Sequence, residues 1–575
     1  MLIHSISVYC WPKSLLLDLE KWIRNFIWSG DVDKRKLVTV SWNKSCRPLS
    51  QGGLGIRSLT VLNEASNLKL CWDLRNSSQP WALLLKSRCI RNNKSISYHI
   101  YSSIWSSIKT EFENINDHSC WLIGNGVNVS FWNDNWCGVP LSTTFNVPDL
   151  ISQNLQASVA DFIFNGRWRI PLSVQSKFPR INFIVHQVTI PVGDIEDKII
   201  WKNTANGELS LKEAYIFKSP CGQSVHWSNL IWNKDIPPTK SLLTWRLMHQ
   251  RIPTDENLMV RGCSLASICS NCNQAAETSS HLFFECMFAK HLWNWLAGIL
   301  NISLNIMDSN DVWKICKRNW SAQCKVVVQA SIINVISAIW YRRNQARFQD
   351  KCIHWKIIIN NVISSVHLSG CNTAKTSSPD MTEFRILKHF RIPIHPPNAP
   401  QIKEVIWSPP IFNWIKVNTD GAATKNPGNA SAGGIFRDKE GICIGCFAQN
   451  LGNMNAYHAE LMAAIIAMEI AQTKNFQHLW LKTDSQLVYL ALKSSSIIPW
   501  SIRNRWHNCL NYVRSIGFTF SHVYREGNAC ADGMANIGLS LPLNFLTWHS
   551  SIPDEIRGEY IMNRMGLPKF RFVNF

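Results

Sequence analysis

Four acidic residues in the last third of this 575-residue chain sit in short, distinct settings. Asp420 lies in Val-Asn-Thr-Asp-Gly-Ala (417–422) and Glu460 in Tyr-His-Ala-Glu-Leu-Met (457–462). Asp484 lies in Leu-Lys-Thr-Asp-Ser-Gln (481–486) and Asp532 in Ala-Cys-Ala-Asp-Gly-Met (529–534). Four carboxylates brought together repel unless cations neutralise them, and hard Mg²⁺ or Mn²⁺ prefers oxygen ligands. Two ions held this way can activate a water and stabilise the leaving 3′ oxygen of a phosphodiester. Because the chain has 39 Asp and Glu, one match means little, and the joint occurrence carries the reading.

A second group has the residue types of a metal centre. Cys269, Cys272, His281 and Cys286 run Cys-x2-Cys-x8-His-x4-Cys, the order of a zinc knuckle with a longer middle loop. A Cys-x2-Cys pair turns back to present two thiolates to one tetrahedral ion, and a His and a Cys on the following helix complete the shell. Cys263 is a nearby alternative, but its five-residue gap to Cys269 fits less well. Four protein ligands leave no open position, so the expectation is one structural Zn²⁺. In a chain of 19 Cys, chance clustering is the competing account.

Both groups need elements to place them. From Trp414 the pattern is α/β, with strands expected at 415–420, 432–437 and 441–449 and a long helix at 454–473. A strand at 479–484, a helix at 485–493, another helix after Pro499, a strand at 518–524 and a helix at 528–538 complete it. Asp420 and Asp484 then close strands, while Glu460 and Asp532 lie on helices, so all four can face one patch beside a mixed five-stranded sheet.

Upstream, residues 12–28 have helical periodicity, 37–42 read as a strand and 63–74 as a helix. Gln51-Gly52-Gly53-Leu54-Gly55 lacks the Lys-Ser/Thr of a phosphate-binding loop. Gly124-Asn125-Gly126 suggests a hairpin turn with the aromatics of 131–136 on a following strand. Residues 197–215 read as a hairpin entering a helix, and a further helix is expected at 241–250. Residues 301–366 look helical, and Val326–Tyr341, broken by Gln329, Ser331, Asn334 and Ser337, reads as a buried amphipathic helix. Pro393, Pro396, Pro397, Pro400, Pro409 and Pro410 fall within eighteen residues and suggest an extended linker.

Composition narrows the class. Apolar content of 46% supports packed cores, and 17% charged residues is too low for a mostly disordered chain. Net charge is +20. Residues 401–575 hold 16 Lys and Arg against 12 Asp and Glu, so most of the surplus lies upstream and suits a polyanion. The 27 Trp read first as core anchors and second as base-stacking platforms. An odd, scattered set of Cys and no secretory opening imply reduced thiols in an intracellular setting, nucleus or cytoplasm, and no membrane.

The residues above resemble a known family. Trp11-Pro12-Lys13, Arg24-Asn25-Phe26-Ile27-Trp28, Ser41-Trp42, Gly52-Gly53-Leu54-Gly55-Ile56 and Asn63 resemble the end of reverse transcriptases of plant non-LTR (LINE-type) retrotransposons. No Tyr-x-Asp-Asp motif is present, so no polymerase activity is expected. Cys269, Cys272, His281-Leu282-Phe283, Cys286 and Trp293 resemble the zinc-binding region downstream of such enzymes. Residues 412–540 resemble type 1 ribonuclease H of the plant retroelement branch. The resemblance implies that Asp420, Glu460, Asp484 and Asp532 are the catalytic, Mg²⁺- or Mn²⁺-binding set. It also implies substrate contacts by Gly421, Asn426, Gln486 and Asn528; Arg525 is expected as a substitute contact where the family's loop histidine is lacking. The implied activity is endonucleolytic cleavage of RNA in RNA–DNA hybrids, giving 5′-phosphomonoesters.

Departures are visible too. Ala456-Tyr457-His458 stands where many bacterial members have an Asn-Asn pair, and the loop that carries their mobile histidine is short here. His522 falls on a strand and does not inherit that role, and the basic substrate-binding helix is reduced to charges such as Arg503 and Arg505.

The expected layout is multidomain. A reverse-transcriptase remnant (1–95, α+β) precedes a Trp-rich connecting region (96–220), a mainly helical zinc-binding region (221–310), a helical segment (311–369) and a Pro-rich linker (370–411). A ribonuclease H-like domain (412–540) and a C-terminal tail (541–575) follow. The expected partners are RNA–DNA hybrid and RNA, with no stable protein partner inferable. The alternative to an active hybrid nuclease is a catalytically weak or inactive nucleic-acid-binding remnant.

Overall fold

A computed structural model describes residues 2–34, 37–91, 94–96, 98, 100–303, 306, 308–397 and 399–573. Its chain contacts form two compact units rather than a string of seven segments. Residues 1–6, 10–64 and 218–399 make one unit, and 7–9, 65–217 and 400–575 the other. The expected remnant of 1–95 is thus divided between them, and the Trp-rich region packs with the C-terminal α/β domain.

In the first unit the main helices are α1 (Lys13–Ser29), α2 (Pro238–Met248), α3 (Met287–Leu300), α4 (Ala322–Gln349), α5 (Trp355–Asn372) and α6 (Met381–His389). Helix α4 is its hub. Ser321 caps it by accepting from the Cys324 amide. The helix is buried as expected, but it is not amphipathic over its middle: residues 326–336 are buried on all sides. Its polar residues are satisfied internally. Ser331 Oγ donates to the Val327 carbonyl at 2.7 Å, Asn334 Nδ2 to that of Ala330 at 2.8 Å, and Gln329 accepts from Asn233 at 2.9 Å. By length and composition α4 could cross a membrane, but 83% of its apolar window is buried inside the protein.

The Pro-rich stretch also differs from expectation. Within it, Asp380 caps α6, and Ile386, Leu387 and Phe390 join the core around α4. Glu383 is buried because its carboxylate accepts from the Ser321 amide at 2.7 Å. Apolar side chains at helical spacing outweigh the prolines, which lie beyond the helix.

In the second unit β1 (Ser119–Leu122) pairs antiparallel with β2 (Lys198–Trp201). The hairpin expected at Gly124–Gly126 is instead a run of turns. Asp197 holds it by accepting from the amides of Gly124, Gly126 and Asn128 at 2.7, 2.9 and 3.1 Å. Phe131, Trp132 and Trp136 follow without a strand and fill a small core with Phe162. Most Trp are anchors of this kind, as where Trp72 meets Trp201 edge-on at 5.9 Å.

The α/β domain begins with β3 (Gln401–Val405). Strands β4 (Ile415–Ala423), β5 (Gly428–Arg437) and β6 (Cys443–Met454) follow, then β7 (His478–Thr483), β8 (Gly517–His522), β9 (Leu546–His549) and β10 (Lys569–Val573). Its sheet has six strands, in the order β8-β7-β4-β5-β6-β9, not the five expected. The added edge, β9, pairs antiparallel with β6 and brings Trp548 onto Phe436 at 5.8 Å between ring centroids. β10 pairs with β3, and a helix (Asp554–Arg564) buries Ile556 and Tyr560, so elements continue from 546 to 573 beyond the expected domain end.

Helices α7 (Ala456–Thr473), α8 (Gln486–Lys493), α9 (Trp500–Val513) and α10 (Ala529–Gly538) complete the domain, and the helix at Asp554–Arg564 is α11. Asn455 caps α7 through the His458 amide, and Ser485 caps α8 through that of Val488. Helix α7 crosses β4 so closely that a Cβ on Gly421 would lie 2.3 Å from the Glu460 amide nitrogen. This contact brings Glu460 beside Asp420. Gly421→Ala should therefore push α7 away and destabilise the domain by about 1–3 kcal/mol. Hydrogen exchange of β4 and α7 and the unfolding midpoint of the full chain would read the effect. Unchanged values would show that the helix yields freely.

Candidate active site and metal centre

Asp420 lies on the central strand β4 and is only 5% exposed. Glu460 is in the second turn of α7, and Asp484 follows the end of β7. Parallel pairing of β4 with β7 sets Thr419 opposite Thr483, so the two aspartates leave the sheet side by side. One carboxylate oxygen each from Asp420, Glu460 and Asp484 falls within 4.8 Å of the others. Asp532, on α10, stands outside this group of three. It accepts from Arg525 at 3.3 Å and Asn536 at 3.2 Å, yet its charge still acts on Asp420.

Burial raises the Asp420 carboxyl to about 10, helped by the charges of Glu460, Asp484 and Asp532. Burial, then Asp484, raises Glu460 to about 8. Glu460 Oε2 is buried with no hydrogen-bond partner. A buried acceptor without a donor is costly, and a divalent cation satisfies it without supplying a proton. The donor set therefore fits hard divalent ions.

The residues expected at the substrate divide. Asn426, Gln486 and Arg525 are exposed, at the β4–β5 turn, the start of α8 and the approach to α10. Gly421 serves first as the cradle for α7. Asn528 is a correction: it is 1% exposed, and its amide is used internally. Its Nδ2 donates to Asp484 Oδ1 and to the Thr419 carbonyl, both at 3.0 Å, and its Oδ1 accepts from Asn418 Nδ2 at 2.9 Å. It holds Asp484 and is not free for a ligand. Asn418 was missed; its one signal was a polar residue two before Asp420, on the same strand face. The His522 ring bonds the Asp484 main-chain carbonyl at 3.0 Å.

Helix α9 is occupied by the chain itself. Arg505 pairs with Glu469 through bonds of 2.5 and 2.6 Å, and Arg503 donates to the Asn206 carbonyl at 2.8 Å. Asn504 donates to the Ile123 carbonyl and Asn508 to that of Ile190, both at 2.8 Å. The two charges expected to remain for substrate are already engaged.

The Cys/His group also converges: Cys269, Cys272, His281 and Cys286 place one donor atom each within 4.8 Å of one another. Cys272 Sγ lies 3.2 Å from His281 Nε2, and Cys269 Sγ 3.9 Å from Cys286 Sγ. The knuckle closes where the Asn273 amide donates to the Cys269 carbonyl at 2.7 Å. His281 and Cys286 are joined not by the expected α-helix but by a π-turn, His281–Glu285, with Cys286 capping α3. Its wider turn sets the two ligands on one side while Leu282, Phe283 and Phe284 enter the core. The hydrogen bond between Cys269 and Cys286 lowers the Cys286 thiol and raises that of Cys269. Cys263 is exposed and outside the group.

Known proteins align with these two sites. Residues 209–293 match the family described as zinc-binding in reverse transcriptase, and 418–538 the family described as reverse transcriptase-like. A candidate ribonuclease H protein of Arabidopsis thaliana is 26% identical over 583 residues, covering 96% of this chain and 89% of its own. An uncharacterized mitochondrial protein of the same plant is 30% identical over 141 residues, 23% of this chain and 90% of its own. Among solved structures, ribonuclease H1 of Halobacterium salinarum is 26% identical, with TM-score 0.20, and matches 22% of this chain and 97% of its own.

Two outcomes follow. The raised folded-state pKa of Asp420 and Glu460 means their stabilising protons are fully held below the unfolded carboxylate range and lost as pH rises through about 8 and about 10. Without divalent ions, the melting temperature of the α/β domain should fall as pH rises from 6 to 9. Added Mg²⁺ should raise it more at pH 9 than at pH 6; calorimetry showing an equal rise would contradict the repulsion argument. Separately, replacing Cys269 and Cys272 by Ser should remove about one zinc per chain by elemental analysis and speed hydrogen exchange over 230–300. Unchanged zinc content would refute the ligand set.

Proposed function

Because the chain belongs to the retrotransposon-derived ribonuclease H proteins, we propose that it cleaves the RNA strand of RNA–DNA hybrids endonucleolytically, leaving 5′-phosphomonoesters. The observation that carries this reading is the convergence of Asp420, Glu460 and Asp484 around an unsatisfied Glu460 oxygen. These three, with Asp532 at the rim, would hold two Mg²⁺ or Mn²⁺ ions. Bound there, such ions supply an activated water and charge stabilisation at the leaving oxygen. The protein's own part is to hold the carboxylates at short range and to keep their oxygens turned inward. Asn426, Gln486 and Arg525, exposed on the segments that carry the acids, and the backbone at Gly421 would meet the two strands, with RNA told from DNA by its 2′-hydroxyls.

A second metal role is separate. Cys269, Cys272, His281 and Cys286 would hold one structural Zn²⁺ that knits the knuckle to α3 and α4. Arg342 supports the same junction by donating to the Asn271 carbonyl at 3.0 Å and side chain at 2.9 Å.

One observation favours a weaker enzyme or a binding remnant. The face of α9 that could have carried a hybrid is bonded to residues 123, 190 and 206. The test is cleavage of a labelled hybrid by the full chain with Mg²⁺ or Mn²⁺. Asp484→Asn should lower the rate by more than the roughly 10- to 100-fold of an outer-shell change. Equal cleavage by wild type and Asp484→Asn would remove these acids from the reaction. Hybrid binding without any cleavage by wild type would establish the remnant.

A further inference from the structure

Behind the acid cluster lies a buried guanidinium. Arg437, at the end of β5, is 0% exposed and stacks on Trp407 with its Cζ 3.8 Å from the ring centroid. Among the described residues no carboxylate forms an ion pair with it; the Cys443, Cys446 and Cys530 thiols and the Tyr560 phenol lie around it, and the cations Lys416 and Lys482 are near enough for charge to act between them and it. Its Nη1 donates to Asn563 Oδ1 and its Nη2 to Asn418 Oδ1, both at 3.0 Å. Trp407 Nε1 donates to the same Asn418 oxygen at 3.1 Å. A buried cation paired only with neutral amides costs stability, so its retention calls for a reason beyond folding.

The hydrogen-bond polarity supplies one. Guanidinium and indole N–H groups only donate. The Asn418 amide oxygen must therefore face them, which turns its Nδ2 toward Asn528. Asn528 must present its oxygen to Asn418, which leaves its own Nδ2 for Thr419 and Asp484. Arg437, Asn418 and Asn528 are at most 1% exposed and Trp407 is 4% exposed, so no bulk water can reset either amide. If Asn418 flipped, Asn528 would follow, and its carbonyl oxygen would meet the Asp484 carboxylate.

We propose that Arg437 and Trp407, acting through Asn418 and Asn528, form a one-way hydrogen-bond relay that holds Asp484 facing Asp420 and Glu460 for a divalent ion. Arg437 is thus a positioning residue, more than a side chain away from the acids. The inference rests on the reading of the acids as a divalent-ion site, but its test does not depend on cleavage.

Asn418→Asp separates the relay from a structural role. It is isosteric and gives the buried guanidinium a carboxylate partner, so the fold should persist with an unchanged or higher melting temperature. It offers Asn528 only acceptors, however, which reverses the relay. Mn²⁺ titration of the zinc-replete full chain by calorimetry should then show affinity about 10- to 100-fold weaker than wild type. In the Asp484→Asn background, Asn418→Asp should add little, because the end of the relay is already gone. Wild-type Mn²⁺ affinity in folded Asn418→Asp, or fully additive losses in the double variant, would overturn the relay. Should Asn418→Asp not fold, Arg437→Met asks the same question: weaker Mn²⁺ binding supports the relay and unchanged binding overturns it. A wild type that binds Mn²⁺ but cuts no hybrid would sink the nuclease reading while leaving the relay to be judged on binding alone.

Discussion

Repulsion among Asp420, Glu460 and Asp484 is the constraint to which the α/β domain is built. Burial removes the water that would screen these carboxylates, and it holds Asp420 and Glu460 far above their ordinary range. Folding must therefore bring together groups that resist it. Gly421 lets α7 press Glu460 against β4, parallel pairing of β4 and β7 aligns the two aspartates, and Asn528 fastens Asp484 from behind. Each feature adds order where the electrostatics favour spreading. A site that costs stability when empty is thereby preorganised for cations that relieve the strain.

How much of this was legible in the chain depends on the kind of signal. Acids at strand ends and helix turns show in the local pattern, because period-2 and period-3.6 spacing fixes which face they take. The Cys/His spacing shows for a similar reason, although the π-turn between His281 and Cys286 has no local cue. Partner choice does not show. Nothing near Asn528 in sequence says that its amide is spent on Asn418, Thr419 and Asp484, residues brought close only by the sheet. Leu546–His549 is too short to read as a strand until β6 offers it an edge. Residues 381–390 were hidden by the prolines around them, though Ile386, Leu387 and Phe390 already carry a helical stripe.

The engagement of α9 bears on how substrate is held. Asn504 and Asn508 each bond backbone of residues 120–190, Arg503 bonds Asn206, and Arg505 is paired with Glu469. Side-chain amides reaching main-chain carbonyls form a specific seam, since each satisfies a group that burial would otherwise leave unpaired. The seam joins the Trp-rich region to the α/β domain as one folded unit, at the cost of a face that could have bound a phosphate backbone.

That cost shifts the burden of attraction elsewhere. Residues 65–217 hold 14 Lys and Arg against 12 Asp and Glu, and residues 401–575 hold 16 against 12. The unit that contains the acids thus carries only +6 of the chain's +20. Most of the surplus belongs to residues 1–64 and 218–399, which also hold the Cys/His group. Affinity for a polyanion grows with the number of phosphates neutralised and weakens with salt. Within that unit residues 251–300, around the Cys/His group, hold 3 Lys and Arg against 4 Asp and Glu, whereas residues 301–399 hold 13 against 5, so the long-range attraction to a polyanion lies with the helical residues that follow the group.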